Sequence, residues 1–172
     1  MKRLFCLAAL AAAALGPSLA AQAAGLEFAV GHTSESTMTY RLGLKSDWDK
    51  SWLQSDVGRL TGYWDGAYTY WEGDKSSASN SLSFSPVLVY EFAGESVKPY
   101  LEAGIGVALF SHTEVEGNRL GSAFQFEDRL GFGLRFAGGH EVGIRATHYS
   151  NAGISSTNDG VESYALHYTM PL

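Results

Sequence analysis

The sequence predicts an all-β fold, an eight-stranded antiparallel transmembrane β-barrel of the outer membrane, and three observations carry that prediction. Apolar and polar residues alternate in eight segments that fill the chain behind its N-terminal leader. Side chains alternate across a strand, so each set occupies one face. The apolar sets are rich in rings near the strand ends, as interfacial girdles are. The polar sets mix charges of both signs with glycines and small residues, which can fill a narrow eight-stranded interior as a paired network. A soluble, lipocalin-like barrel shares the alternation, but it packs its apolar face inward and wets the polar one.

The N-terminus sets the compartment. Met1-Lys2-Arg3 is basic, residues 4–15 are apolar and alanine-rich, and Ala21-Gln22-Ala23 offers a small-residue cleavage site. Residues 1–23 therefore read as a secretory signal peptide and residues 24–172 as the mature barrel domain. The apolar run is too short for a spanning helix, and no later stretch reaches about 20 apolar residues. Cys6, the one cysteine, falls in the leader, so the mature chain has neither disulfide nor thiol chemistry. The formal charge is -6, and loss of Lys2 and Arg3 takes it to -8, which argues against nucleic acid as a partner.

The elements follow in order. Residues 26–32 place Leu26, Phe28 and Val30 on one face. Residues 38–48 set Met38, Tyr40, Leu42, Leu44 and Trp48 against Thr39, Arg41, Lys45 and Asp47. Residues 59–72 set Leu60, Trp64, Tyr68 and Tyr70 against Arg59, Thr61 and Asp65. From 82 to 92, Leu82, Phe84, Pro86, Leu88, Tyr90 and Phe92 alternate with small residues and Glu91. From 101 to 109, Leu101, Ala103, Ile105, Val107 and Leu109 oppose Glu102, Gly104 and Gly106. From 124 to 136, Phe124, Phe126, Leu130, Phe132, Leu134 and Phe136 oppose Gln125, Glu127, Arg129 and Arg135. An even strand number puts both termini on the periplasmic side. Periplasmic turns are then 49–57, 93–98 and 137–139, and the outer loops are 33–37, 73–80, 111–122 and 151–161.

The last two strands carry the chemistry. One apolar face reads Val142, Ile144, Ala146, His148, Ser150, and the other reads Glu162, Tyr164, Leu166, Tyr168, Met170, Leu172. His148, Ser150 and Glu162 thus extend lipid-facing sets at the outer end, beside loop 151–161. Ionisable groups there are costly and are functional candidates by default, although polar residues are also tolerated at headgroup level. A carboxylate can hold the imidazole, and the imidazole can take the serine proton. Two carboxylates share the required parity. The long loop pairs Glu162 with His148, the short turn at 137–139 pairs Asp128 with it, and both registers keep the apolar faces aligned.

Other motifs carry less. Gly104-Ile105-Gly106 and Gly131-Phe132-Gly133 lie inside strands where a narrow barrel has no room for side chains. Gly73-Asp74-Lys75-Ser76 lacks the glycine spacing of a phosphate loop. His32, His112, His140 and His167 have no metal-ligand spacing, and no acidic cluster points to calcium. Neither metal nor cofactor is expected.

The stretch His148-Tyr149-Ser150-Asn151-Ala152-Gly153, followed by Asn158-Asp159-Gly160-Val161-Glu162-Ser163-Tyr164, resembles the lipid A 3-O-deacylase family (PagL). The similarity extends through Thr39-Tyr40-Arg41-Leu42-Gly43-Leu44, Gly62-Tyr63-Trp64-Asp65 and Phe126-Glu127-Asp128-Arg129. The resemblance implies an integral outer-membrane barrel with its site at the outer leaflet, hydrolysing the ester-linked 3-hydroxyacyl chain at the 3 position of lipid A. Lipopolysaccharide would be the substrate, outer-membrane lipids the surroundings, and a homodimer stays open. It implies Ser150 as nucleophile, His148 as general base and Glu162 as the acid orienting it, with Asp128 in a supporting place. It also implies an oxyanion hole from the Asn151 amide and a backbone N–H near Gly153. Two rivals are a non-catalytic barrel acting as adhesin or anchor, which leaves the His148, Ser150 and Glu162 cluster unexplained, and an outer-membrane phospholipase, which shares the chemistry.

Overall fold

Ten strands form between residues 24 and 172, the part of the chain that the computed structural model describes. The expected signal peptide, residues 1–23 with Cys6, lies outside the described residues. Eight long strands are β1 (Ala24–Thr33), β2 (Met38–Asp47), β3 (Gly58–Trp71), β4 (Ser79–Phe92), β5 (Val97–Phe110), β8 (Phe124–Phe136), β9 (Glu141–Ser150) and β10 (Val161–Pro171). They close into one antiparallel barrel in the order β1-β10-β9-β8-β5-β4-β3-β2. The two-residue strands β6 (Glu114–Val115) and β7 (Asn118–Arg119) make a separate hairpin in the connection after β5.

The pleat sorts the residues as the parity predicts, with the apolar side outward. Leu130, Ile144 and Leu166 are 66%, 61% and 60% exposed, whereas Arg129, Arg145 and Glu102 are buried. A lipocalin-like arrangement would reverse that. This outside is that of a membrane-spanning barrel.

The interior is filled by linked ion pairs. Arg145 reaches Glu27 at 2.7 and 2.9 Å and Glu102 at 2.5 Å. Arg41 joins Glu27 at 2.8 Å to Asp65 at 2.5 Å, and Arg129 joins Asp65 at 2.6 Å to Glu127. The hydroxyls of Tyr63 and Tyr149 donate to Glu102 and Glu127 at 2.6 and 2.9 Å. Buried charges repay their desolvation only when partners satisfy them on several sides, and sharing each acid between donors does so. The strand glycines make room for this network. A Cβ on Gly106 would lie 1.9 Å from Ser85 Oγ, and one on Gly133 would lie 2.5 Å from the Tyr100 hydroxyl.

The end remote from the termini is sealed by Trp71, Phe110, Val115, Leu120, Tyr149 and Val161. Two of these come from the connection between β5 and β8, where the sequence suggests only a loop. Its hairpin turns through Glu116 and Gly117, both at positive φ (54° and 88°), as a two-residue type I′ connection requires. Strands of two residues carry no alternation, so nothing in the pattern announces them.

Candidate active site

The edge of the site is built by strand register. β9 pairs with β10 so that His148 lies opposite Glu162, and with β8 so that His148 also lies opposite Asp128. Both registers open to the sequence are therefore present at once. The imidazole chooses between them: His148 Nδ1 lies 2.8 Å from Glu162 Oε1. Opposite a carboxylate, which accepts, Nδ1 is the donor of this pair, and Nε2 is the ring nitrogen turned away from it. The His148 and Glu162 side chains are 43% and 38% exposed on the outer wall. Ser150 is half-buried two positions along β9 on the same face, about 7 Å away along the strand. Asp128 is half-buried across the strand pair, on the other side of His148.

The second oxygen of Glu162 has a partner that sequence reading missed. Ser34 Oγ donates to Oε2 at 3.2 Å, and Ser34 N–H donates to the Glu162 carbonyl at 3.3 Å. Ser34 continues the outward set of β1 past His32, and closure of β1 on β10 brings it to Glu162. Parity combined with barrel closure would have found it. A tight turn holds it there, with Thr33 Oγ1 and Thr37 Oγ1 2.9 Å apart and Ser36 at φ 68°.

Asn151 and Gly153, expected as oxyanion donors, are committed elsewhere. Asn151 is fully buried, and its Nδ2 donates to Leu120 O at 2.8 Å and to Thr157 O at 2.7 Å. Its Oδ1 accepts from Gly153 N–H at 2.9 Å and Ser155 N–H at 3.3 Å. All four hydrogen-bonding positions of the amide are taken, and the Gly153 N–H is taken with them. Asn151 instead shapes the loop, which turns through Ala152 and Gly153 at φ 52° and 84° and closes with Ile154 N–H on Asn151 O at 3.0 Å. Asn158 is oriented by the same residue: its Oδ1 accepts from Asn151 N–H at 2.8 Å, which leaves its NH₂ group on an exposed side chain. Gly160, at φ 73°, covers the imidazole so closely that a Cβ would lie 3.0 Å from His148 Cε1.

The remaining histidines stand apart from this edge or serve its frame. His32 Nδ1 lies 3.0 Å from Thr33 O and its ring lies 5.8 Å from that of Tyr164. His112 Nδ1 meets Ser111 Oγ at 3.1 Å, His140 Nδ1 meets the Tyr168 hydroxyl at 2.8 Å, and His167 is enclosed in the interior. Among the described residues no three His, Cys, Asp or Glu side chains gather as a metal ion would require.

Outward apolar strands around a polar core define a membrane-spanning β-barrel, and one rim of it carries Ser150, His148 and the hydrogen-bonded Glu162. The family model described as Lipid A 3-O-deacylase (PagL) matches residues 37–171, and the chain belongs to that family. It is 60% identical over 173 residues to lipid A deacylase PagL of Pseudomonas aeruginosa, covering all of both chains. A second lipid A deacylase PagL, from Bordetella bronchiseptica, is 37% identical over 105 residues, covering 60% of this chain and 58% of the relative. A crystal structure of the outer membrane enzyme PagL superposes with a TM-score of 0.84 at 62% identity, covering 86% of this chain and 99% of that one.

Proposed function

We propose that this chain is an outer-membrane lipid A 3-O-deacylase whose site meets the outer leaflet, with Ser150, His148 and Glu162 as its catalytic triad. Family membership supports the substrate and the reaction. The observation that carries the residue roles is the His148–Glu162 hydrogen bond on the lipid-facing wall, two strand positions from Ser150.

In this reading lipid A lies beside the barrel with its acyl chains along the apolar wall and its ester at the rim. Ser150 Oγ attacks the ester carbonyl while His148 Nε2 takes the serine proton. Glu162 keeps the ring in the tautomer that leaves Nε2 free and stabilises the imidazolium that forms. The tetrahedral intermediate collapses as His148 returns the proton to the sugar oxygen, leaving acyl-Ser150. Water, deprotonated by the same nitrogen, then releases the 3-hydroxy fatty acid and restores the serine. The oxyanion needs donors aimed at it, and the Asn158 NH₂ group is the side-chain amide that this loop leaves unspent.

The test is mass spectrometry of lipid A from cells carrying the chain, its Ser150→Ala variant, or neither. Loss of one 3-hydroxyacyl chain with the wild type alone is expected. An unchanged lipid A with released phospholipid fatty acid would move the substrate to phospholipids. Full deacylation by folded Ser150→Ala would overturn the nucleophile.

A further inference from the structure

The connection between β5 and β8 supplies no atom to the chemistry, yet its residues 119–121 fasten onto loop 151–160, which separates Ser150 from Glu162. Arg119 N–H and Nε donate to Asp159 Oδ2 at 3.0 and 3.3 Å, and Asp159 N–H donates back to Arg119 O at 3.1 Å. Leu120 O receives one hydrogen of the Asn151 amide. Gly121 passes Thr157 so closely that a Cβ would lie 2.0 Å from Thr157 O, the carbonyl that receives the other hydrogen. Gly121 also needs its φ of 72°.

The fastening strip is itself anchored on its far side. The Glu116 carboxylate accepts Asp74 N–H at 2.7 Å and Lys75 N–H at 3.0 Å, and Glu116 N–H donates to Ser76 Oγ at 2.8 Å. Val115 and Leu120 are buried with Tyr149, the neighbour of both His148 and Ser150. Loop 151–160, in contrast, has no strand or helix, exposes Ile154 and holds the non-glycine Ala152 in a left-handed conformation. Such a conformation costs about 1 kcal/mol or more and persists where its surroundings over-determine it. The contacts from 119–121 end on Asn151, Thr157 and Asp159, which bracket Asn158 and follow Ser150.

We infer that residues 119–121 are a positioning clamp for the reacting end of the site, with Gly121 the residue that admits the Thr157 carbonyl. The inference rests on the catalytic reading above. The clamp fixes where Asn158 and Gly160 sit relative to His148 and Ser150. Its hydrogen bonds to loop 151–160 end on Asn151 and Asp159, not on the outward apolar residues of the strands. Loosening it lowers kcat and leaves KM near its wild-type value.

The experiment uses the full mature barrel in detergent, with barrel closure followed by heat-modifiable gel mobility. Hydrogen exchange reports the amides of Gly153, Ser155 and Asp159, and fatty acid release from lipopolysaccharide gives kcat and KM. Gly121→Ala is expected to speed exchange in the loop and to lower kcat by about 10- to 100-fold, the scale of a misplacement near 1 Å. Asp159→Ala is expected to do the same to a smaller extent, and Asp159→Asn, which keeps an acceptor for Arg119 N–H, to recover most of that loss. Fast loop exchange with wild-type kcat would overturn the clamp as a positioning device, as would wild-type exchange in both Gly121→Ala and Asp159→Ala. If Gly121→Ala fails to close, the exposed Arg119–Asp159 pair decides through the Asp159 variants. Equal activity of wild type and Ser150→Ala would instead sink the catalytic reading, while exchange would still report whether 119–121 hold the loop.

Discussion

Two histidines on the last hairpin of the barrel each face a glutamate, and only one of them is hydrogen-bonded to it. His148 on β9 turns outward, with Nδ1 2.8 Å from Glu162. His167 on β10 turns inward, with Nδ1 3.5 Å from Glu27 and neither ring nitrogen hydrogen-bonded to protein. The difference lies in the acids. Glu27 is already spent on Arg145 and Arg41, whose guanidinium groups neutralise it and donate three hydrogen bonds to its two oxygens. Glu162 gives one oxygen to His148 and the other to a serine hydroxyl, neither of which brings a permanent charge. Its charge therefore remains available to an imidazolium. The surroundings differ as sharply: His167 is shut in against Gly143, while His148 stands half-exposed at the rim. On the proposed reading, His148 can serve as the base because its acid is not already neutralised by arginine and its ring stands at the exposed rim.

The largest expected effects set the two regions against each other. Ser150→Ala and His148→Ala should each lower fatty acid release by about 10³-fold or more, and the losses should not add in the double variant. Barrel stability should hardly move, because both residues lie at an exposed rim. Arg145→Met should do the opposite. It leaves the buried Glu102 with only the Tyr63 hydroxyl and Glu27 with Arg41 alone of its two arginines, at a cost of about 3–5 kcal/mol in denaturant unfolding. Activity per folded molecule should be kept, and His167→Gln should hydrolyse near the wild-type rate. An inactive His167→Gln beside an active His148→Ala would reverse the comparison.

How much of this was legible in the sequence follows from what alternation can encode. Parity alone sends Arg145 inward and Ile144 outward, and it places Glu162 and Asp128 on either side of His148. The eight long strands appear within a few residues of their observed ends, with β4 and β5 starting three and four residues earlier than the apolar sets suggest. Alternation is silent about loops. The β6–β7 hairpin, the clamp at 119–121 and the inward turn of the Asn151 amide arise from contacts between loops without period. Ser34 is an intermediate case, since its parity was visible but its contact with Glu162 depends on which strands close the barrel.

The choice between the two carboxylates gives the next largest effect. Both Cα positions pair with His148, but the hydrogen bond goes to Glu162. Glu162→Ala should therefore lower kcat by about 10²–10⁴-fold, less than loss of the nucleophile because an orienting acid is partly dispensable. Asp128→Ala should lose only a few-fold. Both need confirmation of barrel closure before kinetics. A near-wild-type Glu162→Ala with a dead Asp128→Ala would transfer the acid to β8.

Ser34 offers the finest test, because it is the group that stands beside Glu162 where arginines stand beside Glu27. A hydrogen bond to a charged group contributes roughly 1.5–3 kcal/mol when well made and sheltered. This one is 3.2 Å long on an exposed loop, so roughly half to one kcal/mol, or about 2- to 5-fold in rate, is the expected scale. Ser34→Ala should lower kcat by that amount with KM unchanged, since the carboxylate loses one restraint on its orientation but keeps His148. Ser34→Thr, which retains the hydroxyl, should restore most of the rate. Ser34→Arg asks the sharper question. If an unneutralised acid is what separates His148 from His167, a guanidinium delivered to Glu162 should weaken the base more than deletion of the hydroxyl does. Steady-state rates across neutral pH would show it as a larger kcat loss than Ser34→Ala at every point. An arginine at position 34 that leaves kcat at the wild-type value would mean that the charge state of Glu162 is not what makes His148 the base.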